Sequence, residues 1–198
     1  YLDKLVGKLV AELDRLHLRE KTLILFTGDN GTARFGVTAA TVHGKAISGQ
    51  KGTMLEGGSR VPLLANWPGT TPTGRVNHDL TDFSDFFATC AELAGAPLPA
   101  GVTLDSHSFA SQLRGQPGTP REWVYVELNG RSYARDARYK LMRRGDLFDL
   151  RDGPYQEIAV PVTEAGAEAS AARQKLQAVL DAHHARAATK AEAAEKPR

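Results

Sequence analysis

The chain has 198 residues, 41% of them hydrophobic and 24% charged, with a formal net charge of +2 at pH 7. This is the composition of an ordinary globular protein with one solid core, and so small a net charge argues against a nucleic-acid binder. No apolar run approaches the ~18 residues of a membrane-spanning helix, and the single cysteine, Cys90, excludes both an internal disulfide framework and a multi-cysteine metal site.

The chain opens at Tyr1, already inside a helical pattern, which suggests that its natural beginning lies upstream. Leu2, Leu5, Val6, Leu9, Val10, Leu13 and Leu16 recur at steps of three and four and predict a one-faced helix. After a short polar connection, Thr22–Thr27 is an apolar run without alternation, as expected of a strand buried on both faces. Helix, short loop and buried strand together suggest an α/β architecture. From Gly28 to Gly58 eight glycines and few large apolar residues predict a long loop, which is uncommon in a compact domain unless it has a function or is disordered.

Arg60–Gly69 reads as a second buried strand, ended by Pro68-Gly69. Leu80, Phe83, Phe87 and Cys90 or Ala94 outline a further helix with Thr81 as candidate cap, and Cys90 on its apolar face is expected in the core. Residues 95–118, rich in Pro, Gly and Ser, read as a hinge with a helical turn over Ser108–Leu113. Trp123–Leu128, Tyr139–Arg143 and Asp146–Leu150 read as short antiparallel strands, separated by Asn129-Gly130 and Arg144-Gly145. Leu176, Val179, Leu180 and His183 outline a last amphipathic helix. The expected organisation is an α/β part over 1–100, a hinge and small sheet with a terminal helix over 101–184, and a disordered tail over 185–198.

Two segments offer chemistry. Asp29 and Asn30 follow the first strand and present a carboxylate and an amide oxygen, hard donors that suit Ca²⁺ or Mg²⁺. Asn30-Gly31 is equally a common turn dipeptide, and an ordinary turn accounts for it without a metal. Lys51, between Gly49 and Gly52, places a compact positive charge where an anionic oxygen can approach, although an exposed loop lysine is the plain alternative. Glu56 and Arg60 are expected to pair across Gly57-Gly58 and fix the loop.

The order F-T-x-D-N-G, then about twenty residues later G-x-K-G-T-x-x-E-G-G-x-R-V-P, then W-P-G, resembles the sulfatase family. The resemblance continues through Asp79–Leu98, Asp105–Leu113, and the Tyr139-Lys140-Leu141 and Asp146–Asp152 strands, and covers roughly residues 2–160. It implies an α/β fold: part of the alkaline-phosphatase-like sulfatase sheet with flanking helices, plus a small C-terminal antiparallel sheet packed by a helix. It also implies metal-dependent hydrolysis of a sulfate monoester. By the same resemblance Asp29 and Asn30 fall on metal ligands for Ca²⁺ or Mg²⁺, and Lys51 on the lysine that contacts the sulfate. His43 is a further candidate for a sulfate or leaving-group contact, although its spacing matches no family position clearly. The implied partner is a sulfate ester, either a small molecule or a sulfated carbohydrate, and the implied location is periplasmic or secreted.

The family's nucleophile, a cysteine or serine in C/S-x-P-S-R that becomes formylglycine, is absent: Cys90 is followed by Ala91-Glu92-Leu93. The motif is expected upstream, in a missing N-terminal part of the same protein, and the chain by itself is expected to be inactive. Two other readings stay open: a phosphatase or phosphonate hydrolase of the same superfamily, and a degenerate module that binds without catalysis.

Overall fold

The computed structural model describes residues 1–33, 35 and 41–195. Its elements are α1 (Leu2–Arg15), β1 (Ile24–Thr27), β2 (Thr41–Val42), β3 (Lys45–Ala46), α2 (Glu56–Ser59), β4 (Leu63–Asn66), α3 (Asp85–Leu93), α4 (Ala110–Leu113), β5 (Val124–Leu128), β6 (Arg131–Arg135), β7 (Tyr139–Met142), β8 (Leu147–Asp149), β9 (Ile158–Ala159) and α5 (Ala167–Glu195). Short 3-10 turns lie at Arg19–Lys21 and Val162–Glu164. The fold is mixed α/β. It divides into two units, one formed by Tyr1–Gly28 with Pro62–Pro120, the other by Asp29–Val61 with Arg121–Arg198. This division differs from the boundary expected near residue 100, because the glycine-rich loop is bonded to the C-terminal sheet.

In the first unit β1 and β4 pair antiparallel, Phe26 opposite Leu64. The expectation of strands buried on both faces is corrected: Phe26 is 37% exposed and Leu64 56%, and α1 has no buried residue. The continuous apolar run reflects a sheet surface open along Leu2, Val6, Val10, Ile24, Phe26 and Leu64.

The N-cap of α3 is Ser84, not Thr81, and the turn that leads into it is fixed by Asp82. Its carboxylate accepts from the Ser84 N–H at 2.8 Å while Asp85 accepts from the Asp82 N–H at 2.8 Å, a reciprocal box that occupies two free helix-end donors. The face of α3 turned inward is Asp85, Ala88 and Thr89. Asp85 and Thr89 accept from the backbone N–H groups of His107 and Phe109, and the Ser106 hydroxyl accepts from that of Ala88. Hydrogen bonds to the 106–109 segment therefore overrode the hydrophobic pattern. Phe83, Phe87 and Cys90 lie on the outside, so Cys90 is exposed rather than a core residue.

The second unit is built on the antiparallel sheet β5-β6-β7-β8-β9. Asn129 and Gly130, both at positive φ (51° and 72°), form the two-residue turn that joins β5 to β6. Ala134, Tyr139, Leu141 and Leu147 meet Ala169, Ala172, Leu176, Val179 and Leu180 of α5 in one core. Burial of Leu176 and Leu180, both fully enclosed, contributes about 1.5–3 kcal/mol each. The helix runs on to Glu195 where a disordered tail was expected, because alanine, lysine and glutamate are strong helix formers even without a surface to cover. Residues 196–198 lie outside the described residues.

Candidate functional site

β1 ends at Thr27, and the chain passes through Gly28 into Asp29, Asn30 and Gly31. Asp29 is exposed and Asn30 half-buried, and the Asn30 amide donates to the Asp29 carboxylate. That bond turns the two side chains toward each other.

The Gly31 N–H donates to the Gly58 carbonyl at 3.0 Å, and the Lys51 N–H to the Thr32 carbonyl at 2.9 Å. Thr32 lies only two residues past Asn30, at most about 7 Å along an extended chain. These bonds bring the Asp29-Asn30 turn and the Lys51 loop, expected to act together, side by side. The approach requires glycine: a Cβ on Gly57 would stand 2.6 Å from the carbonyl oxygens of both Ser48 and Gly49. Lys51 itself is exposed, in the turn closed by the Thr53 N–H to Gln50 carbonyl bond.

Behind this turn the loop becomes buried. Glu56, 1% exposed, receives both Nη1 contacts of Arg135, at 2.8 and 2.7 Å, and a longer one from Arg60 at 3.4 Å. The Glu56–Arg60 pair was expected; Arg135 is the closer partner. Beside them Lys140, 1% exposed, donates to the Met54 carbonyl at 2.7 Å and to Glu157 at 2.6 and 2.5 Å. Burial lowers the ammonium pKa of Lys140, and the Glu157 carboxylate partly offsets this. Tyr133 shares a 2.5 Å hydrogen bond with Ser59. Burial pushes its phenol up to about 12, against the opposing effect of that bond.

Arg135, Lys140 and Glu157 were missed from sequence. The available signal was a lysine between Tyr139 and Leu141, a charge in an apolar strand.

His43 stands with Gly44 at the tip of the β2–β3 hairpin, both at positive φ (50° and 77°), and its side chain is exposed. Its position is that of a turn residue.

The Asp29 and Asn30 oxygens are of the hard kind that Ca²⁺ or Mg²⁺ takes. Two donors do not complete a coordination shell. Among the described residues no group of three or more His, Cys, Asp or Glu converges to hold a metal. Nor, among them, is any helix long and apolar enough to cross a membrane.

Comparison with known proteins places these features. A family model described as Sulfatase matches residues 1–96. Human arylsulfatase A is 39% identical over 145 residues, 70% of this chain and 28% of the relative. Steryl-sulfatase of Mus musculus is 40% identical over 114 residues, 56% of this chain and 18% of the relative. The chain therefore spans less than a third of the length of these relatives. Among solved structures, one concerned with metabolism of multiple glycosaminoglycans by Bacteroides thetaiotaomicron superposes with a TM-score of 0.72 at 22% identity, over 91% of this chain and 42% of that one. Another, in complex with its substrate D-glucosamine-2-N,6-O-disulfate, has a TM-score of 0.61 at 19% identity, over 91% of this chain and 37% of that one. The backbone follows the alkaline-phosphatase-like sulfatase fold, and the D-N-G turn and G-x-K-G-T loop are laced together within it: the chain belongs to the sulfatase family.

Proposed function

We propose that this chain supplies the Asp29, Asn30 and Lys51 portion of a site that hydrolyses sulfate monoesters with the help of a divalent cation. The observation that carries this reading is the pair of backbone bonds, Gly31 to Gly58 and Lys51 to Thr32, that joins two hard oxygen donors to a glycine-flanked lysine. Sulfate-ester hydrolysis moves negative charge onto the leaving oxygen while the sulfur centre is attacked, so the protein's part is to position the ester and compensate charge. Asp29 and Asn30 would hold Ca²⁺ or Mg²⁺, which when bound draws charge from the sulfate oxygens. The Lys51 ammonium donates to a sulfate oxygen and neutralises part of its charge. Its exposure at the tip of a glycine turn leaves room for a large alcohol, and the sulfated sugar bound by a structural neighbour belongs to the substrate class this reading favours.

The described residues do not fit the nucleophile. Cys90 is exposed on α3 and lies in C-A-E-L rather than C-x-P-S-R, so no attack is assigned to it. The chain by itself is therefore proposed to be inactive, the nucleophile belonging to a preceding part of the same protein, and a periplasmic or secreted location goes with the same reading.

The test is a calorimetric titration of Ca²⁺ into the chain and into Asp29→Ala, paired with aryl-sulfate turnover. Weaker Ca²⁺ binding in the variant and no turnover by the 198 residues are expected. Where the complementary part is supplied, Lys51→Ala lowers kcat on the order of 10²–10³-fold, the scale of a lost transition-state donor. Equal Ca²⁺ affinity, or an unchanged kcat, overturns the assignment.

A further inference from the structure

We infer that the C-terminal sheet positions the sulfate-contacting lysine, through the buried pairs Glu56–Arg135 and Lys140–Glu157, which clamp the Lys51 loop against the Asp29-Asn30 turn. The inference rests on the proposed role of Lys51 and adds residues that touch neither ester nor metal.

The clamp is continuous. Lys140 of β7 holds the Met54 carbonyl at 2.7 Å, while Glu157 accepts from the Glu56 N–H at 3.1 Å, so one ion pair grips the backbone on both sides of Leu55. Arg135 of β6 holds the Glu56 carboxylate, and Tyr133 of the same strand holds Ser59. At the other end of the loop the Ser48 N–H donates to the Pro154 carbonyl at 2.9 Å. Inside the loop, Gly57 donates to Ser48 at 2.7 Å and Gly58 to Leu55 at 2.8 Å. The section left projecting from these anchors is the turn that carries Lys51 and Gly52, both exposed. From the anchored side, Gly58 accepts the Gly31 N–H, so the clamp reaches the metal-donor turn through one bond.

Electrostatics favour a positional purpose. Two carboxylates and a lysine are almost fully enclosed, Glu56 and Lys140 at 1% and Glu157 at 4%, with Arg135 at 13%. Enclosed ion pairs are often no more stabilising than apolar groups of the same volume, because dehydration cancels their attraction, yet they tolerate only one geometry. The Lys140 ammonium also faces the Tyr133 ring at 4.8 Å and the Phe148 ring at 5.6 Å, which fixes it from the sheet side. An apolar contact would permit the loop to slide; this one does not.

Amide hydrogen exchange of the 198-residue chain tests the inference, with Gly31 and Lys51 as reporters because their N–H groups bond across the two segments. In Glu56→Gln, and in Arg135→Lys should the first variant not fold, exchange at these two amides rises at least about tenfold, while amides of β6 and β7 stay within about twofold. Unchanged exchange at Gly31 and Lys51 overturns the inference, as does equal acceleration throughout β6 and β7, which marks a merely structural role. Titration with inorganic sulfate separates the two layers. In the parent chain sulfate shifts the Lys51 amide resonance, and in Glu56→Gln the response weakens at least about threefold. A parent Lys51 amide unmoved by sulfate overturns the functional reading itself, whereas a sulfate response of equal size in both chains overturns the clamp.

Discussion

A Cβ built on Gly31 would stand 1.7 Å from the carbonyl oxygen of Gly57, well inside any allowed contact. The D-N-G segment and the start of α2, with Gly31 and Gly57 26 residues apart in the chain, therefore meet backbone to backbone, with the Gly31 N–H bonded to the next carbonyl, that of Gly58. Gly31→Ala forces one of them to move. Neither side can yield by rotating a side chain, so the cost falls at the upper end of the ~1–3 kcal/mol typical of overpacking. Urea unfolding of the variant should show the stability falling by that amount, and on the proposed metal role of Asp29 and Asn30 Ca²⁺ binding should weaken as that segment shifts. A midpoint equal to the parent's contradicts this close approach.

The Lys140–Glu157 pair gives a contrast of two variants. Glu157→Ala leaves a buried ammonium with the Met54 carbonyl and two aromatic rings but without its carboxylate partner, and removing one partner of a buried pair costs about 3–5 kcal/mol. Replacing both residues, as Lys140→Met with Glu157→Leu, removes the charge problem and should cost less than the single change. Chemical denaturation of the three chains checks the order. A double variant less stable than Glu157→Ala contradicts the assignment of the loss to an unpaired charge.

Asp149 predicts an acid limb. Burial opposes its ionisation, but the Arg151 side chain and backbone N–H, with Arg138, outweigh that and hold the carboxyl at about 2, below its ordinary 3.8. The folded state therefore binds this proton less readily than the unfolded chain. Its stabilisation is complete above about pH 4 and disappears as the pH falls through about 2. The two arginine side chains are 43% and 59% exposed, so solvent screening holds the effect to about 1–2 kcal/mol. Asp149→Asn should flatten stability between pH 4 and pH 2 in a series of denaturation midpoints. A parent and variant with the same slope across that window contradict it.

Much of this fold was legible in the sequence because its signals are local. The 3.6-residue period of α1, the Asn129-Gly130 turn and the Leu176, Val179 and Leu180 face each report a single element. The paired D-N-G and G-x-K-G-T motifs placed Asp29, Asn30 and Lys51 on neighbouring segments. What escaped notice depends on distant partners. Strand β6 contains Arg131, Ser132 and Arg135, and reads as polar until its Tyr133 and Ala134 are seen in the core and Arg135 is seen holding Glu56, 79 residues earlier. On α3 the apolar period marks the helix but not its inward face, which is Asp85, Ala88 and Thr89. The backbone amides of residues 107 and 109 needed acceptors, and Asp85 and Thr89 supplied them.

The last prediction concerns the apolar groove of the first unit. Phe26 and Leu64 are register partners on one face of the β1–β4 pair, 37% and 56% exposed, and Leu2, Val6 and Val10 of α1 line the same groove. A contiguous apolar surface of this kind holds small apolar molecules and promotes association. The folded chain should therefore enhance the fluorescence of an anilinonaphthalene dye in the absence of denaturant. Leu64→Lys places a charge in the middle of the groove, on a short strand whose backbone it leaves intact, and should cut that enhancement severalfold with little effect on the far-UV circular dichroism. Equal dye binding by parent and variant would mean that the exposed side chains of α1, β1 and β4 do not act as one surface.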